Sequence, residues 1–191
     1  MRILCSTLAL TFLSANAFAQ LQLSFDPSVP VDVNGALGMA WAGGLNTPQV
    51  SDIDLNGDGI KDLLFFDRVG NKVVPLLNAG TTGQTSYTYT KAYDHVYPFD
   101  QLQEWILLRD YNGDGKEDIF GQTLGGMAVW KNTSTDGELS FQLVDTLVRS
   151  NSVPTDANLY ITQVDLPGIE DIDGDGDLDV ITFSIFGNYL E

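Results

Sequence analysis

Short apolar runs separated by glycine, proline, asparagine and aspartate fill the chain from about residue 48 onward. Such runs, rich in β-branched and aromatic residues and bounded by turn formers, are typical of strands. No helical periodicity of useful length follows residue 19, so the predicted fold class is all-β. The predicted strands are Val50–Ile53, Leu63–Phe66, Lys72–Leu77, Ser86–Thr90, Trp105–Leu108, Asp118–Phe120, Met127–Lys131, Leu139–Val144, Leu159–Val164, Gly168–Ile172 and Val180–Phe183.

The first residues have the different pattern of a secretory signal peptide. Arg2 precedes a mostly apolar run from Ile3 to Leu13, and Ala17–Ala19 forms an A-x-A cleavage site. The run is too short to span a bilayer as a stable helix. We expect cleavage after Ala19 and a secreted or cell-surface protein; a retained N-terminal anchor is the alternative. Cleavage would remove Cys5, the single cysteine.

An acidic nonapeptide occurs three times in the predicted all-β region. It reads DLNGDGIKD at Asp54–Asp62, DYNGDGKED at Asp110–Asp118 and DIDGDGDLD at Asp171–Asp179, with starts 56 and 61 residues apart. A repeat of this length with strands between the loops predicts propeller blades or a similar array.

The shared pattern D-x-[DN]-x-D-G-x-x-D favours a calcium site. Calcium takes six to eight oxygen ligands at flexible distances, whereas zinc and copper prefer histidine or cysteine. Loop position 6 is always glycine, as a sharp turn requires. Position 7 would contribute only its backbone carbonyl, which is consistent with its variable side chain (Ile60, Lys116 and Asp177).

Two alternatives use the same residue types. A single copy could be a solvated turn, because Asp, Asn and Gly are turn formers; three matched copies argue against it. An EF-hand needs a bidentate glutamate at position 12 and flanking helices. Position 12 is Phe65, Gly121 and Thr182, and strand-like runs follow each loop, so the EF-hand is excluded.

The loop, the strand that follows it and the repeat length resemble the FG-GAP repeat of integrin α chains and of secreted bacterial VCBS-repeat proteins. The resemblance runs from Pro48 to the C-terminus. It implies a β-propeller in which each loop joins the first two strands of a blade and binds Ca²⁺, giving about three sites. The implied side-chain ligands are Asp54, Asn56, Asp58 and Asp62; Asp110, Asn112, Asp114 and Asp118; and Asp171, Asp173, Asp175 and Asp179.

This organisation divides the chain into a signal peptide (1–19), an N-terminal strand and connector (20–47) and FG-GAP-like repeats (48–191). The connector contains an alternating run, Leu21, Leu23 and Phe25. The repeats span 48–104, 105–158 and 159–191, the last incomplete, which makes about two and a half blades. Since a closed propeller needs four or more blades, we expect a fragment of a longer gene product; a complete, smaller open array is the alternative.

Net charge limits the partners. The chain carries a formal charge of −17, which disfavours binding to nucleic acid or an anionic membrane. No hydrolase or nucleotide-binding motif occurs, and His95, Glu104 and Glu138 have no sequence context for catalysis. We expect a non-enzymatic binding or adhesion scaffold for an extracellular protein or glycan. A non-catalytic part of a polysaccharide-acting enzyme and a structural spacer are the alternatives; the oligomeric state is left open.

The aromatic residues have two readings. They could form a sugar-stacking platform, but Trp105 and Trp130 fall in predicted strands, which favours packing between blades. The full set is Trp41, Trp105, Trp130, Tyr87, Tyr89, Tyr93 and Tyr97.

Overall fold

A computed structural model describes residues 26, 29–35, 37, 39–80, 86–150, 157–183 and 190. This part of the chain consists of strands and turns without a helix, as the sequence predicts. It therefore has no helix that is long and apolar enough to cross a membrane. The predicted signal peptide (1–19) and the predicted strand around Leu21, Leu23 and Phe25 lie outside the described residues.

The first sheet is a four-stranded antiparallel meander, in which neighbours along the chain are also neighbours in the sheet. Its strands are β1 (Pro48–Ile53), β2 (Asp62–Asp67), β3 (Lys72–Asn78) and β4 (Tyr87–Tyr89). Along β2, Leu64 and Phe66 are buried while Leu63 and Phe65 are half-buried, which follows the period of two in a strand. All four predicted strands of this unit are confirmed, with small shifts at their ends.

The second sheet repeats the same strand order. It contains β5 (Ile106–Arg109), β6 (Asp118–Thr123), β7 (Gly126–Asn132) and β8 (Phe141–Asp145), with a register shift at Val129/Trp130. Both faces of this sheet are covered at β7. In β7, Ala128 and Trp130 join one hydrophobic cluster with residues of the first sheet, whereas Met127 and Val129 join a second cluster with Ile169.

The first strands of the two sheets, β1 and β5, lie side by side, and the first strand of the third unit also contacts β5. The third unit contributes β11 (Gly168–Glu170) and β12 (Asp179–Ile181), after a hairpin of β9 (Arg149–Ser150) and β10 (Ala157–Asn158). The Gln49 side-chain carbonyl accepts the N–H of Ile106 at 3.0 Å, and Arg109 Nε donates to the Ile169 carbonyl at 2.9 Å. The described residues thus form antiparallel sheets that pack in chain order, and none of these sheets closes on itself.

The predicted strand Leu159–Val164 is wrong, because this segment is irregular. The Thr162 hydroxyl donates to the Asp165 carboxylate at 2.7 Å, and that carboxylate also accepts the Thr162 N–H. Local hydrogen bonds of this kind compete with strand pairing. Ile161 is nevertheless buried in the second cluster, so the apolar pattern reflects packing rather than a strand.

The surroundings of the Asp67 carboxylate, at the end of β2, predict that the stability of the fold depends on pH. Burial by itself raises the pKa of Asp67, but the N–H groups of Asn46, Thr47 and Val69 outweigh it and lower the pKa below the ordinary 3.8. A carboxylate whose pKa is lower in the folded than in the unfolded state stabilises the fold above about pH 3.8. This stabilisation is lost as the pH falls through the pKa of the folded state.

We therefore expect Asp67→Asn to be less stable than wild type near pH 7, and the difference to shrink below about pH 3.8. Urea unfolding of both proteins between pH 3 and pH 7 measures this. A difference that stays constant with pH would show that the charge of Asp67 does not contribute.

Candidate metal centre

Each acidic nonapeptide forms the loop between the first and second strands of its sheet. The first loop (54–62) joins β1 to β2, the second (110–118) joins β5 to β6, and the third (171–179) joins β11 to β12. Position 9 of each loop (Asp62, Asp118 and Asp179) is the first residue of the strand that follows. Strands therefore flank all three loops, in agreement with the exclusion of an EF-hand.

The carboxylate at position 1 holds each loop in its curled shape. In the first loop, Asp54 accepts the N–H groups of Gly57 at 2.7 Å and Gly59 at 2.8 Å. The same two bonds recur from Gly113 and Gly115 to Asp110, and from Gly174 and Gly176 to Asp171, all between 2.7 and 3.1 Å. The repeated sequence thus produces a repeated hydrogen-bond network.

Positions 5 and 7 make a second contact that recurs in all three loops. The position-7 N–H donates to the position-5 carboxylate, from Ile60 to Asp58 at 2.8 Å, and at 3.1 Å both from Lys116 to Asp114 and from Asp177 to Asp175. This bond needs no particular side chain at position 7, so Ile, Lys and Asp are all compatible with it.

Position 4 needs glycine as much as position 6 does, a requirement that was not predicted from the sequence. Gly57, Gly113 and Gly174 have φ of 74°, 72° and 79°, in the left-handed region that other residues adopt at a cost. The signal was available, since all three loops read G-D-G at positions 4 to 6.

The carboxylates at position 9 of the first two loops are buried parts of the framework. Asp62 and Asp118 are both 0% exposed. One oxygen of Asp62 accepts the N–H of Leu55 at 2.8 Å and the other accepts the N–H of Asn78 at 2.7 Å. Asp118 repeats this with the N–H groups of Tyr111 and Asn132 at 2.8 and 2.6 Å. Each carboxylate therefore ties its loop to the end of the third strand of its sheet.

Asn78 and Asn132 complete this connection and were not predicted as site residues. Their side-chain amides donate to the carbonyls of Lys61 and Glu117 at 3.2 and 3.1 Å. They lie 16 and 14 residues after the position-9 aspartates. An asparagine that ends the third strand of both complete sheets is the sequence signal that would have identified them.

Burial makes these position-9 carboxylates costly to ionise in the absence of a cation. Removal from water raises the pKa of both Asp62 and Asp118, and the neighbouring loop carboxylates raise them further, although backbone N–H groups lower them in part. A bound cation would offset both effects, because it favours the ionised form. Oxygen donors and an excess of negative charge fit a hard divalent cation.

The third loop brings three carboxylates together. Oxygens of Asp171, Asp173 and Asp179 lie within 4.8 Å of one another, and among the described His, Cys, Asp and Glu residues only these three meet in this way. Asp175 is not in the cluster and hydrogen-bonds with Asp177, which raises the pKa of Asp177. Position 3 of the first two loops is Asn56 or Asn112. These loops therefore lack the carboxylate that Asp173 provides in the third loop.

Basic residues lie beside the first two loops. Burial raises the pKa of Asp114, but the N–H of Lys116 and the ammonium group of Lys131 outweigh it and lower the pKa. Lys131 Nζ is 3.3 Å from a carboxylate oxygen of Asp114. Lys61 forms an ion pair with Glu117, which joins position 8 of the first loop to position 8 of the second. The first loop also touches the turn 135–138 of the second sheet.

The tryptophans, two of the tyrosines and His95 lie outside the acidic loops. Trp105 and Trp130 are buried in the two hydrophobic clusters, which confirms their predicted packing role. Trp41, Tyr89, Tyr93 and His95 instead line an open cleft beside the first sheet.

Comparisons with known proteins leave the family of this chain open. No protein-family model matches it, and searches of curated proteins and of solved structures give no significant match. The all-β fold and the acidic cluster of the third loop are what the structure establishes.

Proposed function

We propose that this chain is an exported calcium-binding repeat protein of the FG-GAP type, whose sheets are blades of a β-propeller. In this proposal it is a non-enzymatic scaffold at the cell surface or outside the cell, where it binds an extracellular protein or glycan. The observation that carries the proposal is the hydrogen-bond network common to the three loops, combined with the convergence of Asp171, Asp173 and Asp179.

Calcium would be held by the oxygen side chains at positions 1, 3, 5 and 9 and by the carbonyl of position 7. When bound, the ion supplies the positive charge that clustered carboxylates lack. The protein supplies the shape of the loop, because the position-1 carboxylate and the two glycines already curl it. Position 9 then transmits the order of the loop to the adjoining strands.

The stacking order of the sheets supports the propeller. Two four-stranded meanders and the first two strands of a third unit follow one another, and β5 packs between β1 and β11. Radially repeated blades are expected to place the first strands of successive units side by side, in the order of the chain.

Isothermal titration of calcium into single-loop variants tests the metal sites. We expect the third loop to bind most tightly, because it has four carboxylates where the others have three and an asparagine. Asp173→Asn should weaken it toward the other loops, and Asn56→Asp, the reciprocal change, should strengthen the first loop. Tightest binding at the first or second loop would contradict this ranking.

Lys131 predicts a further difference in affinity. Its ammonium group occupies the neighbourhood of Asp114 that a calcium ion would need, so we expect Lys131→Met to increase the affinity of the second loop for calcium by about threefold to tenfold at low salt. Lys91→Met, at a position that follows β4 in the first unit, is the control and should leave that affinity unchanged. Equal effects of both variants would mean that only net charge is sensed.

A further inference from the structure

An open cleft of about 850 Å³ lies beside the first sheet, and none of its lining residues belongs to an acidic loop. Its walls come from residues 40–43, from β3 and β4, and from the turns between 91 and 99. The volume is in the range of small-molecule sites, which are about 300–1,000 Å³.

Aromatic side chains supply much of the cleft wall. Trp41, Tyr89 and Tyr93 are half-buried and all line it. The Trp41 indole N–H donates to the Val29 carbonyl at 2.7 Å, so the ring is fixed at its polar edge. Rigid rings with one side exposed provide large contact areas at a low entropic cost.

The polar lining of the cleft is balanced in charge. It contains Lys72 and Lys91 against Asp67 and Asp94. Lys91 and Asp94 are 3.5 Å apart, and the Asp67 carboxylate accepts three backbone N–H groups. On a molecule of charge −17, this near-neutral lining disfavours a strongly charged ligand and suits one that has many hydroxyl groups.

We propose that the cleft binds a neutral oligosaccharide. Sugar faces would stack on Trp41 and Tyr89, and sugar hydroxyls would hydrogen-bond to Lys72, Asn71 and Asp94. The proposal rests on the scaffold function above, for which it names a ligand class and a place. The negative charge of the molecule disfavours an acidic glycan. A short flexible peptide would make fewer hydrogen bonds to the polar side chains of the cleft than a sugar, which has hydroxyl groups around each ring.

The test is titration of the calcium-loaded full chain with cellohexaose, laminarihexaose and mannohexaose, and with an alginate hexamer as the acidic comparison. We expect at least one neutral hexasaccharide to bind and to change the tryptophan fluorescence. Trp41→Ala should weaken this binding roughly tenfold or more. Tyr160→Ala, an exposed aromatic residue outside the cleft, should leave it unchanged.

Lys72→Met, at an exposed position of β3, tests the polar wall if Trp41→Ala does not fold, and should weaken binding about threefold to tenfold. Absence of binding to the neutral sugars, binding of the alginate hexamer alone, or an equal response of Trp41→Ala and Tyr160→Ala would overturn the proposal. Calcium titration of the same samples separates the two claims, because intact loops with an inert cleft would refute only the cleft.

Discussion

Gly57→Ala is expected to destabilise the protein much more than Gly113→Ala, although the two glycines occupy the same position of their loops. Their φ values are 74° and 72°, so both substitutions carry the strain of a left-handed backbone, about 1–2 kcal/mol. Only Gly57 is also packed against another backbone. A Cβ at Gly57 would lie 2.9 Å from Cα of Gly137, whereas a Cβ at Gly113 would meet nothing within 4 Å.

The clash at Gly57 adds an overpacking cost of about 1–3 kcal/mol. We therefore expect a total loss of about 2–5 kcal/mol for Gly57→Ala against about 1–2 kcal/mol for Gly113→Ala. Urea unfolding in EDTA measures both without the contribution of calcium. Equal losses would mean that the first loop does not rest on the turn 135–138 of the second sheet.

Among the proposed side-chain ligands of the first loop, Asp62 is expected to be the most damaging to replace by alanine, even when calcium is absent. Asp62→Ala would leave the buried N–H groups of Leu55 and Asn78 without their acceptor, at about 1–3 kcal/mol for each group. Removal of a carboxylate that is costly to ionise offsets part of this loss, so we expect a net effect of about 2–4 kcal/mol.

Asp58→Ala is the matched control, because Asp58 is exposed and accepts the N–H of Ile60 within the loop. In EDTA it should cost less than about 1 kcal/mol. With calcium in excess, both variants should also lose the stabilisation from the first site, which is about 1.4 kcal/mol at a calcium concentration ten times Kd. If Asp58→Ala were as damaging as Asp62→Ala in EDTA, the structural role of position 9 would be refuted.

The features readable from the sequence are those that depend on neighbouring residues. Short apolar runs bounded by turn residues located β2 and β7, and the spacing of Asp, Gly and Asp placed each loop between two strands. The contacts that distinguish the loops from one another join residues distant in sequence, such as Gly57 with Gly137 or Lys131 with Asp114. A local pattern carries no information about such pairs.

The segment Leu159–Val164 shows that a local apolar pattern can also predict a strand that does not form. Its apolar residues resemble a strand, yet the Thr162–Asp165 hydrogen bonds turn the chain. Ile161 is buried in the second cluster, and the half-buried Leu159 packs against it. The burial of Trp105 and Trp130 was predicted from their place in strands, whereas the position of Trp41 in a cleft wall depends on tertiary structure.

Anomalous X-ray scattering from crystals soaked in millimolar calcium would show whether the repeated loops bind this ion. We expect anomalous density in all three loops, strongest beside Asp171, Asp173 and Asp179, with ligand oxygens about 2.3–2.6 Å from each ion. Crystals soaked in magnesium alone should show no such density. Absence of calcium from all three loops at that concentration would contradict the account.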